Sequence, residues 1–287
     1  MMCIPQVMLE PEEVSSILAV RDQFNGLDEI EFALQASSTL PGVDSWRMQK
    51  LRARLVAAWS LHDHVVVRSL PRCPEGSTGL VLASLCFANL KRYRGGKIVK
   101  HFRMSPWTKA LSHTLASGFF HTDLNTADLP PAATAMQCLE ADPGAPDYGQ
   151  LRVARMRHLI EQVQRSDAAV ANFLVHERVT MVNETSPTGW EGTMVGDGLI
   201  RFHPESLLAA KKHLGKNPST LEEHLATIHQ AALDVSTPIS LAPGEMLLVS
   251  NRRALHQRGA CTVRFHEFPN KFESRRVSVF HAYEEPA

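Results

Sequence analysis

The chain has 287 residues, 44% of them apolar and 21% charged, and its 30 basic and 30 acidic side chains give a formal net charge of zero. Such a composition describes an ordinary soluble globular chain with enough residues for a sizeable core, and the neutral balance gives no reason to expect a nucleic acid or an anionic membrane as partner. No apolar run nears the roughly 18 residues of a membrane span, and the first twenty residues lack the basic start and long apolar centre of a signal peptide, so a cytoplasmic chain is expected.

Taken in order, residues 10–36 and 45–62 have helical spacing, with Val14, Ile17 and Leu18, then Leu27, Ile30 and Phe32, then Leu51, Leu55 and Trp59; Leu40-Pro41-Gly42 separates the two stretches. The β-branched run His64–Leu70 reads as a strand closed by Pro71, followed by a helix from Gly79 to Leu90 and a strand at Lys97–Phe102. Ala133–Leu139 is strand-like, Pro143–Gly149 is a loop, and Leu151–Phe173 has helical spacing with arginines on a solvated face. Strands are expected at 178–182, 198–202, 239–241, 245–250 and 275–283, and helices at 204–214 and 219–233. Many short strands with a few covering helices suggest a β-rich α+β fold, a double-stranded β-helix or jelly-roll barrel. No linker justifies a cut, so one catalytic domain over 1–287 is expected, with a helical segment at 1–58 and a jelly-roll core with inserted helices over 59–287. Cys3, Cys73, Cys86, Cys138 and Cys261 are odd in number, scattered and without a C-x-x-C pair, which points to reduced thiols.

The stretch with the most chemistry is Phe119-Phe120-His121-Thr122-Asp123-Leu124. If it is a strand, His121 and Asp123 project to one face and can hold one metal ion. A third ligand candidate is His256, 256 − 121 = 135 residues later. Two histidines and one carboxylate leave open positions, the ligand set of non-haem Fe(II) oxygenases. His203-Pro204-Glu205 and His62-Asp63-His64 are rivals by spacing alone. Pro204 reads as the first residue of a helix, which gives Glu205 a helix N-terminal role, and His62 and His64 fall where a helix ends and a strand begins.

The run from His121 through Pro130-Pro131, the turn Ser250-Asn251-Arg252 before His256, and Arg275-Arg276-Val277-Ser278 together resemble the taurine dioxygenase and clavaminate synthase superfamily over about residues 60–285. The resemblance implies an Fe(II)- and 2-oxoglutarate-dependent oxygenase. It would use O2 to hydroxylate or desaturate a small molecule, with release of succinate and CO2. His121, Asp123 and His256 would then be both the metal ligands and the catalytic centre. Arg276 is the residue expected to hold the far carboxylate of 2-oxoglutarate, with Ser278 beside it at i+2; Arg275 would point away. The 276 − 256 = 20 residue separation is longer than in many relatives and implies an extra loop at Ala260–Lys271. The Thr that relatives carry in a Gly-Gly-Asp-Thr run has no counterpart in Tyr148-Gly149-Gln150-Leu151, leaving Gln150 as a substitute donor. Asn251 and Arg252 are expected to support His256. Taurine dioxygenase has a second Arg four residues past its 2-oxoglutarate Arg; the matching Phe280 argues against a sulfonate substrate. Trp107, Phe119, Trp190 and Arg94 are candidate pocket residues. The rival reading is a metal-binding barrel with non-oxidative or 2-oxoglutarate-independent chemistry, which would have no need of Arg276.

Overall fold

A computed structural model describes residues 4–183, 188–215 and 217–286. Cys3 lies outside them. The chain begins with β1 (Gln6–Met8), α1 (Pro11–Arg21), α2 (Leu27–Ala36), α3 (Trp46–His62), β2 (His64–Arg68), α4 (Ser77–Cys86), β3 (Lys100–Arg103) and β4 (Ala133–Glu140). It continues through β5 (Leu151–Arg155), α5 (Met156–Ser166), α6 (Ala168–Val175), β6 (Arg178–Val182), β7 (Gly189–Thr193), β8 (Val195–Gly196) and β9 (Leu199–Ile200). The last elements are α7 (Pro204–His213), α8 (Ser219–Asp234), β10 (Met246–Ser250), β11 (Ala254–Arg258), β12 (Val263–Glu267), β13 (Lys271–Ser274) and β14 (Arg276–Ala282).

Six strands form one sheet in the order β1-β2-β10-β4-β14-β3, antiparallel except for the β1–β2 pair, and β5 and β11 pair separately. Strand alternation sorts side chains into layers. Val65, Val67, Met246, Leu248, Ala135 and Phe280 face one way, into a core shared with α1–α4. Val66, Leu247, Val249, Met136, Val277 and Val279 face the other way and meet Leu151, Val153 and Ala254 of the β5–β11 pair. The opposite faces of that pair, Ala154 and Leu255, join a third cluster built with α5–α8. Both faces of the central strands are therefore buried, which is why Val65–Val67 and Met246–Val249 are unbroken apolar runs. Each such fully buried Val or Leu contributes about 1.5–3 kcal/mol of transfer free energy.

Several sequence expectations change on contact with this architecture. The long first helix is two, α1 and α2, broken at Asn25-Gly26 where Gly26 has φ 153°. Leu151–Arg155 is strand β5, since Leu151 and Val153 are needed on the inner face opposite β11. The loop expected at 260–271 is a β12–β13 hairpin.

Candidate metal centre and its cavity

His121 is placed by backbone pairing: its N–H donates to His256 O (3.0 Å) and its C=O accepts from His256 N–H (3.1 Å). The strand expected at 119–124 is not formed beyond this one bridge; the chain turns at once through 123–126, with Leu124 at φ 52°. That turn is held from three sides. Asn251 Oδ1 accepts from Asp123 N–H (2.6 Å), and its Nδ2 donates to Asp123 O (3.1 Å) and Pro131 O (3.0 Å). Arg201 donates to Asn125 O and Ala127 O while lying on the Trp190 ring. Thr122 N–H donates to Phe202 O. Asn251 thus clamps the Asp123 backbone rather than His256, and Arg252 ties Pro130 O to Tyr283 O. Ser250 accepts from the Arg252 and Arg253 N–H groups, closing the turn into β11.

The result brings together the three residues the sequence singled out. Ligand atoms of His121, Asp123 and His256 all lie within 4.8 Å of one another. Asp123 Oδ1 is 3.6 Å from His121 Nε2, and Oδ2 is 3.2 Å from His256 Nε2. His121 Nδ1 sits 2.8 Å from Phe119 O, which fixes the proton there and leaves Nε2 as a lone-pair donor toward the cavity. His256 Nδ1 has no partner among the described residues, so packing and its strand pairing orient the ring. Burial alone would raise the Asp123 carboxyl, but the imidazoles of His256, His121 and His281 gathered around it outweigh burial and hold it well below the ordinary carboxylate range. An ionised carboxylate with two convergent imidazole nitrogens is a donor set suited to a divalent first-row metal.

Two further histidines surround this centre: His281, which no spacing indicated, and His203, which the sequence offered only as part of a rival H-x-E pair. His281 Nε2 is 3.1 Å from Asp123 Oδ2, and Thr134 Oγ1 donates to the same oxygen at 2.7 Å. The His203 ring lies 5.2 Å from that of His121; burial, with the neighbouring His121 charge, pushes its pKa down to about 3. Its Nδ1 accepts weakly from Ser206 N–H (3.4 Å) at the start of α7, so Pro204 does open a helix.

The centre opens on a cavity of about 620 Å³ between the large sheet and the β5–β11 pair. Its walls decide the question of the arginines. Arg275, Val277, Val279 and His281 all line the cavity. Arg276 and Ser278 do not, because alternation puts them on the far face of β14. Arg276 pairs with Glu140 at 3.2 Å and donates to Pro74 O, and Ser278 Oγ meets His101 Nδ1 at 3.2 Å beneath Gly76. The expected inward side of this strand was off by one residue: a bulge between Arg276 and Val277 sits where β14 enters its pairing with β4. Arg275 is 4% exposed, and no carboxylate or carbonyl among the described residues accepts from its guanidinium. Burial pushes its pKa below that of an ordinary arginine.

Of the other candidates, Phe119 lines the cavity, and so does Glu205 from the first turn of α7. Trp107 instead packs on Phe265 and Phe268 of the hairpin, and Trp190 lies under Arg201. Gln150 donates to Pro146 O and is not in the cavity wall; Gln257 is, donating to Gly118 O. Cys138 lies in the core between the sheets, its thiol pushed up to about 11 by burial.

Two half-buried residues, His121 and Asp123, and the buried His256 converge on a cavity in a mixed α/β fold, a group that could hold one metal ion. Sequence comparison assigns the rest: residues 31–267 match the taurine catabolism dioxygenase TauD, TfdA family, and the chain belongs to that family of non-haem iron oxygenases. No curated protein matches the chain in sequence. Among solved structures it is similar to an asparagine oxygenase in complex with Fe(II), (2S,3S)-3-hydroxyasparagine and succinate, at 16% identity over 96% of this chain and 93% of that one, with a TM-score of 0.68. It is also similar to the non-haem iron oxygenase OrfP in complex with Fe and alpha-ketoglutaric acid (15% identity, 98% and 94% covered, TM-score 0.60) and with Fe and L-Arg (14%, 97% and 93%, 0.59). These likenesses concern the fold. The family uses Fe(II), 2-oxoglutarate and O2.

Proposed function

We propose that the chain is an Fe(II)- and 2-oxoglutarate-dependent oxygenase that hydroxylates a polar small molecule within a single double-stranded β-helix domain, with His121, Asp123 and His256 as the iron ligands. The observation that carries this reading is Arg275, a buried guanidinium without an acceptor among the described residues, on the wall of the same cavity as His121, Asp123 and His256. A buried cation in that state is costly unless a ligand anion completes it, and a carboxylate can do so with two parallel hydrogen bonds. Arg275 therefore replaces Arg276 as the residue for the far carboxylate of 2-oxoglutarate, with Val277 and Met136 as apolar walls for its methylenes.

When bound, iron and 2-oxoglutarate supply O2 activation, with succinate and CO2 as coproducts; the protein's residues bind, orient and exclude water. Moving the anchor to Arg275 also moves the residue four places on, from Phe280, which is buried against α1–α4, to Val279, which does line the cavity. The new position is still apolar, so the argument against a sulfonate substrate keeps its force. Glu205 is the one acid besides Asp123 in the described cavity wall, which also carries the polar side chains of Asn125, Thr188 and His203. That wall suits an amine-bearing substrate, and the similar structures named above hold an amino acid or its hydroxylated product.

The test is succinate formation from 2-oxoglutarate with Fe(II), O2 and a panel of L-amino acids and their derivatives, followed by mass analysis of the products. The expected result is succinate release stimulated by at least one amine-bearing compound, a product heavier by one oxygen, and neither in His121→Ala. Metal-dependent turnover without 2-oxoglutarate would favour the non-oxidative or cosubstrate-independent reading instead.

A further inference from the structure

Tyr93 belongs to none of the groups discussed so far and His281 has been placed only as a neighbour of Asp123, yet the two meet the metal centre through one atom. His281 is directly opposite Thr134 in the β14–β4 register, and both side chains reach Asp123 Oδ2, Thr134 Oγ1 at 2.7 Å and His281 Nε2 at 3.1 Å. The His281 side chain is 5% exposed, and buried Nε2, although 3.1 Å from Asp123 Oδ2, makes no well-aligned hydrogen bond to any described residue, which leaves that carboxylate oxygen as its nearest available acceptor. Its other nitrogen, Nδ1, is in contact with the Tyr93 hydroxyl. The Tyr93 ring is itself covered by the Lys100 ammonium, 4.0 Å from the ring centroid, with the Lys91 ammonium at 5.6 Å.

We propose that Tyr93 and His281 are positioning residues for the metal centre: Tyr93 O–H donates to His281 Nδ1, His281 Nε2–H donates to Asp123 Oδ2, and with Thr134 they hold that oxygen so that Oδ1 faces the metal. This rests on the reading of His121, Asp123 and His256 as ligands. The directions follow from the inventory of donors. An ionised carboxylate only accepts, so the proton of a neutral His281 belongs on Nε2, and Nδ1 must then accept. Burial, and the Asp123 charge, raise the Tyr93 pKa, which keeps the phenol protonated and able to donate. A carboxylate with one oxygen bound by two outer donors has lost the freedom to rotate or to become bidentate, which is how partners outside the ligand shell tune affinity.

The probe is Co(II), titrated anaerobically into metal-free protein and read by its d–d absorbance, so that no turnover is needed. Outer partners of this kind change metal affinity by roughly 10–100-fold. The expected results are weakening in that range for His281→Leu, weakening by about tenfold with a shifted d–d spectrum for Tyr93→Phe, and substantial recovery in His281→Gln, whose amide N–H can still donate to Oδ2. Tyr93→Phe keeps the ring under Lys100 and is the variant safest for folding, checked by circular dichroism of the metal-free protein. Wild-type affinity and spectrum in both Tyr93→Phe and His281→Leu would overturn the proposal, and so would a loss in His281→Leu as complete as that in His121→Ala, since His281 would then be a ligand. If His121→Ala, Asp123→Ala and His256→Ala all kept wild-type affinity, the metal centre itself would be what failed.

Discussion

Arg275→Gln removes a buried guanidinium on the cavity wall that has no acceptor among the described residues, so its effect on 2-oxoglutarate affinity can be worked from its surroundings. Breaking a buried charge pair by removing one partner costs about 3–5 kcal/mol. At about 1.4 kcal/mol per tenfold, this is between roughly a hundredfold and a few thousandfold in Kd. Arg258 also lines the cavity and its charge reaches Arg275, so part of the positive field survives the substitution. The low end, about a hundredfold, is therefore expected. Arg276→Gln removes only a partly exposed pair with Glu140, at 34% and 40% exposure, of a type that contributes about 0–1 kcal/mol to folding. It should leave 2-oxoglutarate affinity unchanged. Anaerobic titration of the Fe(II) protein with 2-oxoglutarate, followed by the metal-to-ligand charge-transfer absorbance, measures both variants. A large loss in Arg276→Gln with none in Arg275→Gln would refute the strand register argued here; no loss in either would refute 2-oxoglutarate as the ligand of this wall.

Asn251→Ala deletes the three hydrogen bonds that clamp the Asp123 and Pro131 backbone, leaving buried groups unsatisfied. A stability loss on the order of 3 kcal/mol in urea denaturation of the metal-free protein is expected, together with weaker metal binding; a loss below about 0.5 kcal/mol would contradict the clamp. His64, in β2 far from the cavity, has its pKa lowered to about 4, chiefly by burial. A histidine depressed in the folded state costs nothing above the unfolded pKa of about 6.5, then destabilises progressively as pH falls toward 4, because the unfolded chain takes up the proton first. By pH 5 this amounts to about 2 kcal/mol, and His64→Asn should flatten the stability–pH curve over that window relative to wild type. Parallel curves for the two proteins would contradict it.

The ligand trio was legible because two of its members are two residues apart and the third follows a recognisable turn; short spacing survives even when the local geometry is misjudged. His121 and Asp123 converge through a bridge and a turn, not through a strand, yet reach the same point. The anchor was harder. Which of two adjacent arginines faces inward depends on a register that a bulge and a hairpin intervene to set, and a shift of one residue exchanges the faces of a strand. β5 was mistaken for helix because Leu151-Arg152-Val153-Ala154-Arg155 runs into an amphipathic helix without punctuation, and its partner β11 lies about a hundred residues on. His281 had no signal of its own, since it reaches the cavity only through tertiary placement, while His203 and Glu205 were visible as an H-x-E spacing and line the cavity without joining the ligand trio. The layered arrangement of central strands, by contrast, was visible in the unbroken apolar runs of β2 and β10.

The most direct test of the central claim is a crystal structure of the protein grown anaerobically with Mn(II) and a non-reactive 2-oxoglutarate analogue. The account predicts one metal ion bound by His121 Nε2, Asp123 Oδ1 and His256 Nε2, with the analogue chelating it and extending its far carboxylate onto Arg275. Metal density elsewhere, or a far carboxylate held by Arg276 or left without an arginine partner, would contradict it.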